Sequence, residues 1–139
     1  MNKSDIKILL VDDEPDILEI VGYNLRNEGY QVFTASNGNE AVKSAKKNTP
    51  QLILLDIMMP EMDGIEACEK IRKIKSLDNV IISFLTARGE DYSQVAGFEA
   101  GADDYITKPI KPKVLVSKVK SLLRRLKSEA ETSFKIGDI

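Results

Sequence analysis

The chain has 139 residues, 42% of them hydrophobic and 30% charged, with a formal charge of −2, one cysteine and no histidine. That length suits one domain able to bury roughly two-thirds of its unfolded surface without a covalent staple. The missing histidines exclude Ser-His-Asp and Cys-His nucleophiles, histidine metal ligands and a phosphohistidine on this chain, and the lone Cys68 excludes intrachain disulfides and CxxC motifs. No apolar run approaches a membrane span, Met1 to Asp5 lead into a strand rather than a signal peptide, and the small negative charge gives no footprint for nucleic acid. Any chemistry left runs on carboxylates, hydroxyls, lysine, arginine or a bound cation.

Two kinds of segment alternate. Lys7–Val11 is short and almost wholly apolar, and Ile17, Leu18, Val21 and Leu25 then line one face of a helix that Gly29 ends. Tyr30–Ala35 is a more polar strand, expected nearer a sheet edge. A second helix runs from about Gly38 to Lys47, and Pro50 breaks the chain before the apolar strand Gln51–Asp56. Ile65, Cys68 and Ile71 stripe a third helix, and Val80–Leu85 is again apolar. Val95, Phe98 and Ala102 fall around a fourth helix closed by Gly101, and Asp104–Thr107 is the second edge-like strand. Lys111 and Pro112 open a fifth helix striped by Leu115, Val119, Leu122 and Leu126. Apolar runs without alternation are strands buried on both faces, as a parallel sheet requires. Five βα units predict an α/β, doubly wound sheet with right-handed crossovers, whose ligands sit outside the carboxyl ends of its strands.

At those ends stand Asp12-Asp13-Glu14, Asp56, Thr86-Ala87-Arg88 and Thr107-Lys108-Pro109. Each has a plain reading alone: Asp12-Asp13 as a helix cap, Asp56 as a turn residue, Thr86 as structural, Lys108-Pro109 as a turn dipeptide. Independent caps need not all fall on strand ends. Three carboxylates in a partly dehydrated pocket repel one another and require a compensating cation, which Lys108 supplies in part. A hard divalent ion such as Mg²⁺ supplies the rest, and this equipment suits phosphoryl transfer onto an aspartate.

The set Asp12-Asp13, Asp56, Thr86 and Lys108-Pro109, with Met59-Pro60-Glu61-Met62-Asp63-Gly64 and Gly101-Ala102-Asp103-Asp104-Tyr105, resembles the receiver domain of bacterial two-component response regulators from about Lys7 to Leu126. The resemblance implies the flavodoxin-like strand order 2-1-3-4-5. It implies that Asp56 is the phosphoacceptor and that Mg²⁺, or Mn²⁺ in its place, is held by Asp13, Asp56 and the backbone carbonyl of Met58, with Asp12 acting through water. Lys108 would hold a phosphoryl oxygen, Thr86 would move toward it, Tyr105 would be the aromatic switch, and the Lys108–Pro109 bond would be cis. Such a chain is not a conventional enzyme but catalyses its own phosphorylation and dephosphorylation, in the cytoplasm, with a sensor histidine kinase as donor.

The last helix looks like the OmpR/PhoB type of transcriptional regulator, whose receivers pair through the fourth helix, fifth strand and fifth helix. Carried over, the apolar patch is Val95, Phe98 and Ser117. The intersubunit pairs are Glu99 with Lys120, Asp103 with Arg125 and Asp104 with Lys118, and a further pair is lost at Gln94 and Val114. Lys118 stands where arginine is usual, and Ile110 where phenylalanine is usual. Residues 1–127 are thus expected to form the receiver. Residues 128–133 read as a polar linker, and Phe134–Ile139 as the opening strand of a winged-helix DNA-binding domain or as an ordinary tail. Cys68 reads as a core thiol, and Lys43, Lys46 and Lys47 as a solvated face. A receiver signalling by protein contact alone and a Mg²⁺-dependent phosphatase or phosphotransferase are the alternatives. The latter needs substrate-binding insertions that these short connections lack.

Overall fold

The computed structural model describes residues 2–87 and 99–137, with side chains as far as 125 except at 87. Its strands β1 (Lys7–Val11), β2 (Gln31–Ala35), β3 (Leu52–Asp56), β4 (Ile81–Ala87) and β5 (Asp104–Lys108) pair in parallel in the order β2-β1-β3-β4-β5. The order reverses beside β1, so the carboxyl ends of β1 and β3 flank the crevice where a doubly wound sheet holds its ligand. The two more polar strands are the edges, and β3 is buried at all five positions.

Along β1 and β3 successive side chains enter opposite apolar layers. Leu9, Val11, Ile53 and Leu55 pack with Ala41 and Ala45 of α2 (Gly38–Asn48) and with Ala67, Cys68 and Ile71 of α3 (Gly64–Arg72). Ile8, Leu10, Leu52 and Leu54 pack with Val21 and Leu25 of α1 (Pro15–Asn27) and with Leu115, Val119 and Leu122 of the C-terminal helix (Pro112–Gly137). Both faces of the central strands are therefore core, which explains their lack of alternation.

Local chemistry starts the helices where the sequence predicts. Pro15 occupies the first turn of α1, and the side chains of Asn37 and Asp63 accept from the backbone N–H of Glu40 and Glu66 to cap α2 and α3. Gly29 follows α1 with φ +103°. From α3, Cys68 Sγ donates to Ala100 O at 3.5 Å, and Arg72 donates to Gly101 O, Val80 O and Asp103 Oδ2. These bonds fix the turn that leads into β5.

One expectation falls partly outside the described residues, and one differs from what the fold displays. Val95 and Phe98 lie outside the described residues; Glu99 is helical, and Ala102 is buried just past the turn at Gly101. The C-terminal helix continues to Gly137, through the stretch expected to be a linker and into the expected strand. No proline or glycine interrupts it between Pro112 and Gly137, and glutamate and alanine at 129–131 are good helix formers as well as common linker residues.

Candidate functional site

β1 and β3 are neighbours in register, Val11 beside Leu55, so Asp12 and Asp56 emerge side by side at the carboxyl edge of the sheet. Asp12 is fully buried and Asp56 only 4% exposed. Asp13, the next residue along, is exposed, and one carboxylate oxygen from each of the three lies within 4.8 Å of the others. Lys108 arrives from the far edge, at the end of β5. Its four-carbon stem crosses the end of β4 and brings Nζ to 3.1 Å from Asp12 Oδ2 and 3.4 Å from Asp56 Oδ1. The Lys108–Pro109 peptide is cis.

Asp12 is not the side-chain cap of α1. Its Oδ1 accepts from Glu14 N at 2.9 Å in a local turn, while Glu14 occupies the cap position. Its Oδ2 is buried without a directional hydrogen bond; the Lys108 ammonium beside it is a charge contact only. A buried carboxylate oxygen left in that state favours a cation. Burial first, and the Asp12 carboxylate second, push the Asp56 carboxyl up to about 7 against the pull of Lys108. Burial also opposes the charge on Lys108, but Asp12 and Asp56 together outweigh it and hold the ammonium above the ordinary lysine range. Three acids against one ammonium leave a negative deficit. The donor set of Asp12, Asp13 and Asp56, all hard oxygens, fits a hard divalent ion.

The model of the response regulator receiver domain matches residues 8–120. The chain belongs to that family. Among curated proteins the receiver is 47% identical over 133 residues to the alkaline phosphatase synthesis transcriptional regulatory protein PhoP of Bacillus subtilis, covering 96% of this chain and 53% of PhoP. It is 48% identical over 122 residues to the transcriptional regulatory protein SrrA of Staphylococcus aureus, covering 88% of this chain and 49% of SrrA. The receiver thus spans about half the length of these relatives. Its fold matches that of the chemotaxis response regulator CheY4 of Vibrio cholerae with a TM-score of 0.80 at 31% identity, over 84% of this chain and 98% of that one.

Elsewhere in the receiver, Thr86 is 1% exposed at the end of β4, two residues from Phe84 and so on the same face of the sheet. The Phe84 ring meets that of Tyr105, also buried, with centroids 5.7 Å apart. Phe84 thus shares a sheet face with Thr86 and a ring contact with Tyr105. The period of two along β4 was the signal for it. Met58 exposes its side chain between the buried Ile57 and Met59.

Several of the residues carried over as a pairing face have partners within the chain. Asp103 accepts from Arg72 and from Ile82 N, each at 2.9 Å. Asp104 lies 3.7 Å from Lys118, and Lys120 lies 3.3 Å from Glu28. Glu99, Ser117 and Arg125 are exposed, Val114 is 58% exposed, and Gln94, Val95 and Phe98 lie outside the described residues. No helix among the described residues is long and apolar enough to cross a membrane.

Proposed function

We propose that this receiver takes a phosphoryl group onto Asp56 from a phosphohistidine of a sensor kinase, and that the change is read out through Thr86 and Tyr105. The observation that carries this reading is the buried Asp56 carboxylate set between two further acids and the Lys108 ammonium at the edge of the sheet. An Asp56 oxygen attacks phosphorus, the N–P bond of the donor breaks, and the histidine leaves with a proton. The nucleophile must be ionised, and a carboxyl held up to about 7 even with Lys108 beside it requires further positive charge. Lys108 holds an equatorial oxygen of the transferring group. Mg²⁺, or Mn²⁺ in its place, would supply the remaining compensation, and Asp13, Asp56 and the Met58 carbonyl would hold it, with Asp12 acting through water. Thr86, at the same edge, reads the phosphoryl group once it is attached. Attack of water on the acyl phosphate breaks the bond from Asp56 to phosphorus, releases inorganic phosphate and makes the chain its own phosphatase.

We further propose that the output is transcriptional, as the names of PhoP and SrrA describe for those proteins. It acts in the cytoplasm, through self-association of the face that carries Val95, Phe98, Glu99, Asp103, Asp104, Ser117, Lys118, Lys120 and Arg125. The half-length coverage of those relatives supports a parent protein in which residues 1–127 are the receiver and a DNA-binding domain follows.

The test is labelling with acetyl phosphate. One acid-stable, base-labile acyl phosphate should form on Asp56, only with Mg²⁺ or Mn²⁺, and none on Asp56→Asn. Asp13→Ala should lose cation binding more than Asp12→Ala, and Thr86→Ala should accept phosphate while the response around Tyr105 fades. A label mapped to another residue overturns the assignment.

A further inference from the structure

We infer that Gly64 and Gly38 are positioning residues of the cation site. They let the first residues of α3 and α2 close on the two ends of the loop after Asp56, and this closure sets the spacing between the Asp56 carboxylate and the Met58 carbonyl. The inference rests on the cation site proposed above.

A carboxylate adjusts to an ion by turning its side chain, but a backbone carbonyl has no rotamer. Where a ligand is a carbonyl, the loop itself must be held. Gly64 stands against the acceptor's own peptide. A Cβ built there would overlap the Asp56 carbonyl oxygen outright and lie 2.9 Å from both Asp56 C and Ile57 Cα. All three are backbone atoms and none can swing aside. The Gly64 N–H in turn donates to Ile57 O at 2.8 Å. At the other end, a Cβ on Gly38 would come within 2.6 Å of Met62 O and 2.8 Å of Met62 Cβ and Cγ. Between these two contacts the loop turns tightly, with Met62 N donating to Pro60 O at 2.9 Å and Glu61 at φ 69°. Ile57, Met59 and Met62 are buried, and Met58 alone of these four apolar side chains faces outward. The segment is thus gripped at both ends and pinned by three side chains, which leaves the Met58 peptide little freedom.

Neither glycine is needed for its backbone conformation, since neither has a positive φ. What each supplies is room. Helix propensity alone would make Gly→Ala stabilising at both positions, so any damage must come from the overlap. An added methyl at Gly64 moves α3 away from Asp56 or moves Asp56 itself, and so changes the spacing of the ligands. Mg²⁺ requires near-octahedral ligands at about 2.0–2.1 Å, whereas Ca²⁺ accepts irregular sets at about 2.3–2.6 Å. A displaced loop therefore penalises the smaller ion more.

Calorimetric titration of Mg²⁺ and Ca²⁺ into the wild-type chain, Gly64→Ala and Gly38→Ala tests this, with far-UV circular dichroism to follow the fold. Gly64→Ala should weaken Mg²⁺ binding about tenfold or more. Ca²⁺ binding should fall much less, so that the preference between the two ions shifts, and Gly38→Ala should move the same way by less. If Gly64→Ala does not fold, Gly38→Ala carries the comparison. A folded Gly64→Ala with unchanged Mg²⁺ affinity, or with equal losses for both ions, overturns the inference. Loss of the fold in both variants assigns the glycines to folding alone and overturns it too. A wild-type chain that binds neither ion overturns the proposed cation site itself.

Discussion

At the scale of single residues, Asp56 is a destabilising charge whenever nothing compensates it. It is 4% exposed beside Asp12, and its carboxyl holds a proton up to about pH 7, against 3.8 for an ordinary aspartate. The folded chain therefore binds more protons than the unfolded chain between those values, and stability falls as pH rises from about 4 through 7. Asp56→Asn removes this term. In chelator, its melting temperature should exceed that of the wild type at pH 8, and the gain should vanish below about pH 4. Saturating Mg²⁺ should narrow the difference at pH 8 by stabilising the wild type. Equal melting temperatures at pH 8 in chelator would show that the burial of Asp56 carries no such cost. The acids themselves were legible from the sequence because each follows an apolar run. That Lys108 compensates them was legible too, but its contact with both Asp12 and Asp56 was not, since that depends on register. The requirement for glycine at 38 and 64 was hidden for the same reason: it comes from atoms distant in sequence.

At the scale of elements, β1, β3 and the start of β4 were legible because both of their faces are buried and the apolar run is continuous. The edge strands were legible by contrast, through their polarity. The C-terminal helix was misread beyond Lys127, where serine and glutamate suit a linker and a solvated helix equally well. Its two parts should respond differently to substitution. Leu115 is fully buried against the sheet, and Leu115→Ala should cost about 2–5 kcal/mol in urea unfolding. Ala130→Pro lies beyond the buried stripe of Leu115, Val119, Leu122 and Leu123. It should lower the ellipticity at 222 nm by breaking the last turns, while leaving the melting temperature nearly unchanged. A large fall in melting temperature for Ala130→Pro would mean that the terminal turns carry tertiary contacts.

At the scale of the whole molecule, four of the charges proposed for pairing between copies are already engaged at home. Asp103 holds Arg72, Asp104 holds Lys118, and Lys120 holds Glu28, whose carboxyl is drawn below the usual range first by Lys120 and then by Lys3. Bringing two copies together would exchange these contacts rather than add to them. Exposed pairs contribute only about 0.2–1 kcal/mol each in any case. Association should therefore be weak, driven by the apolar centre, and little affected by salt. In sedimentation velocity the free chain should be monomeric. Beryllofluoride with Mg²⁺, a stand-in for the acyl phosphate, should produce a dimer whose dissociation constant changes little between 50 and 500 mM salt, roughly one Debye screening regime to the next. Asp104→Arg should weaken that dimer by placing like charges at its edge. A steep salt dependence would mean that new ion pairs form across the interface after all. None of this home pairing was visible in the sequence, because Glu28 and Lys120 meet only once α1 and the C-terminal helix are packed side by side.

The thiol of Cys68 is fully buried, donates to the Ala100 carbonyl, and is pushed by burial up to about 11. At neutral pH it is both shielded and protonated, and a thiol reagent attacks only the thiolate. A reagent can therefore reach it only while α3 is parted from the turn at Ala100. With one cysteine in the chain, the rate of modification measures how often that part of the receiver opens, and needs no engineered label. The rate should be far below that of a free thiol, should rise in Arg72→Met, where three hydrogen bonds to the same region are lost, and should fall if phosphorylation of Asp56 tightens the fold. The buried sulfur atom is thus a clock for the motions of the structure around it.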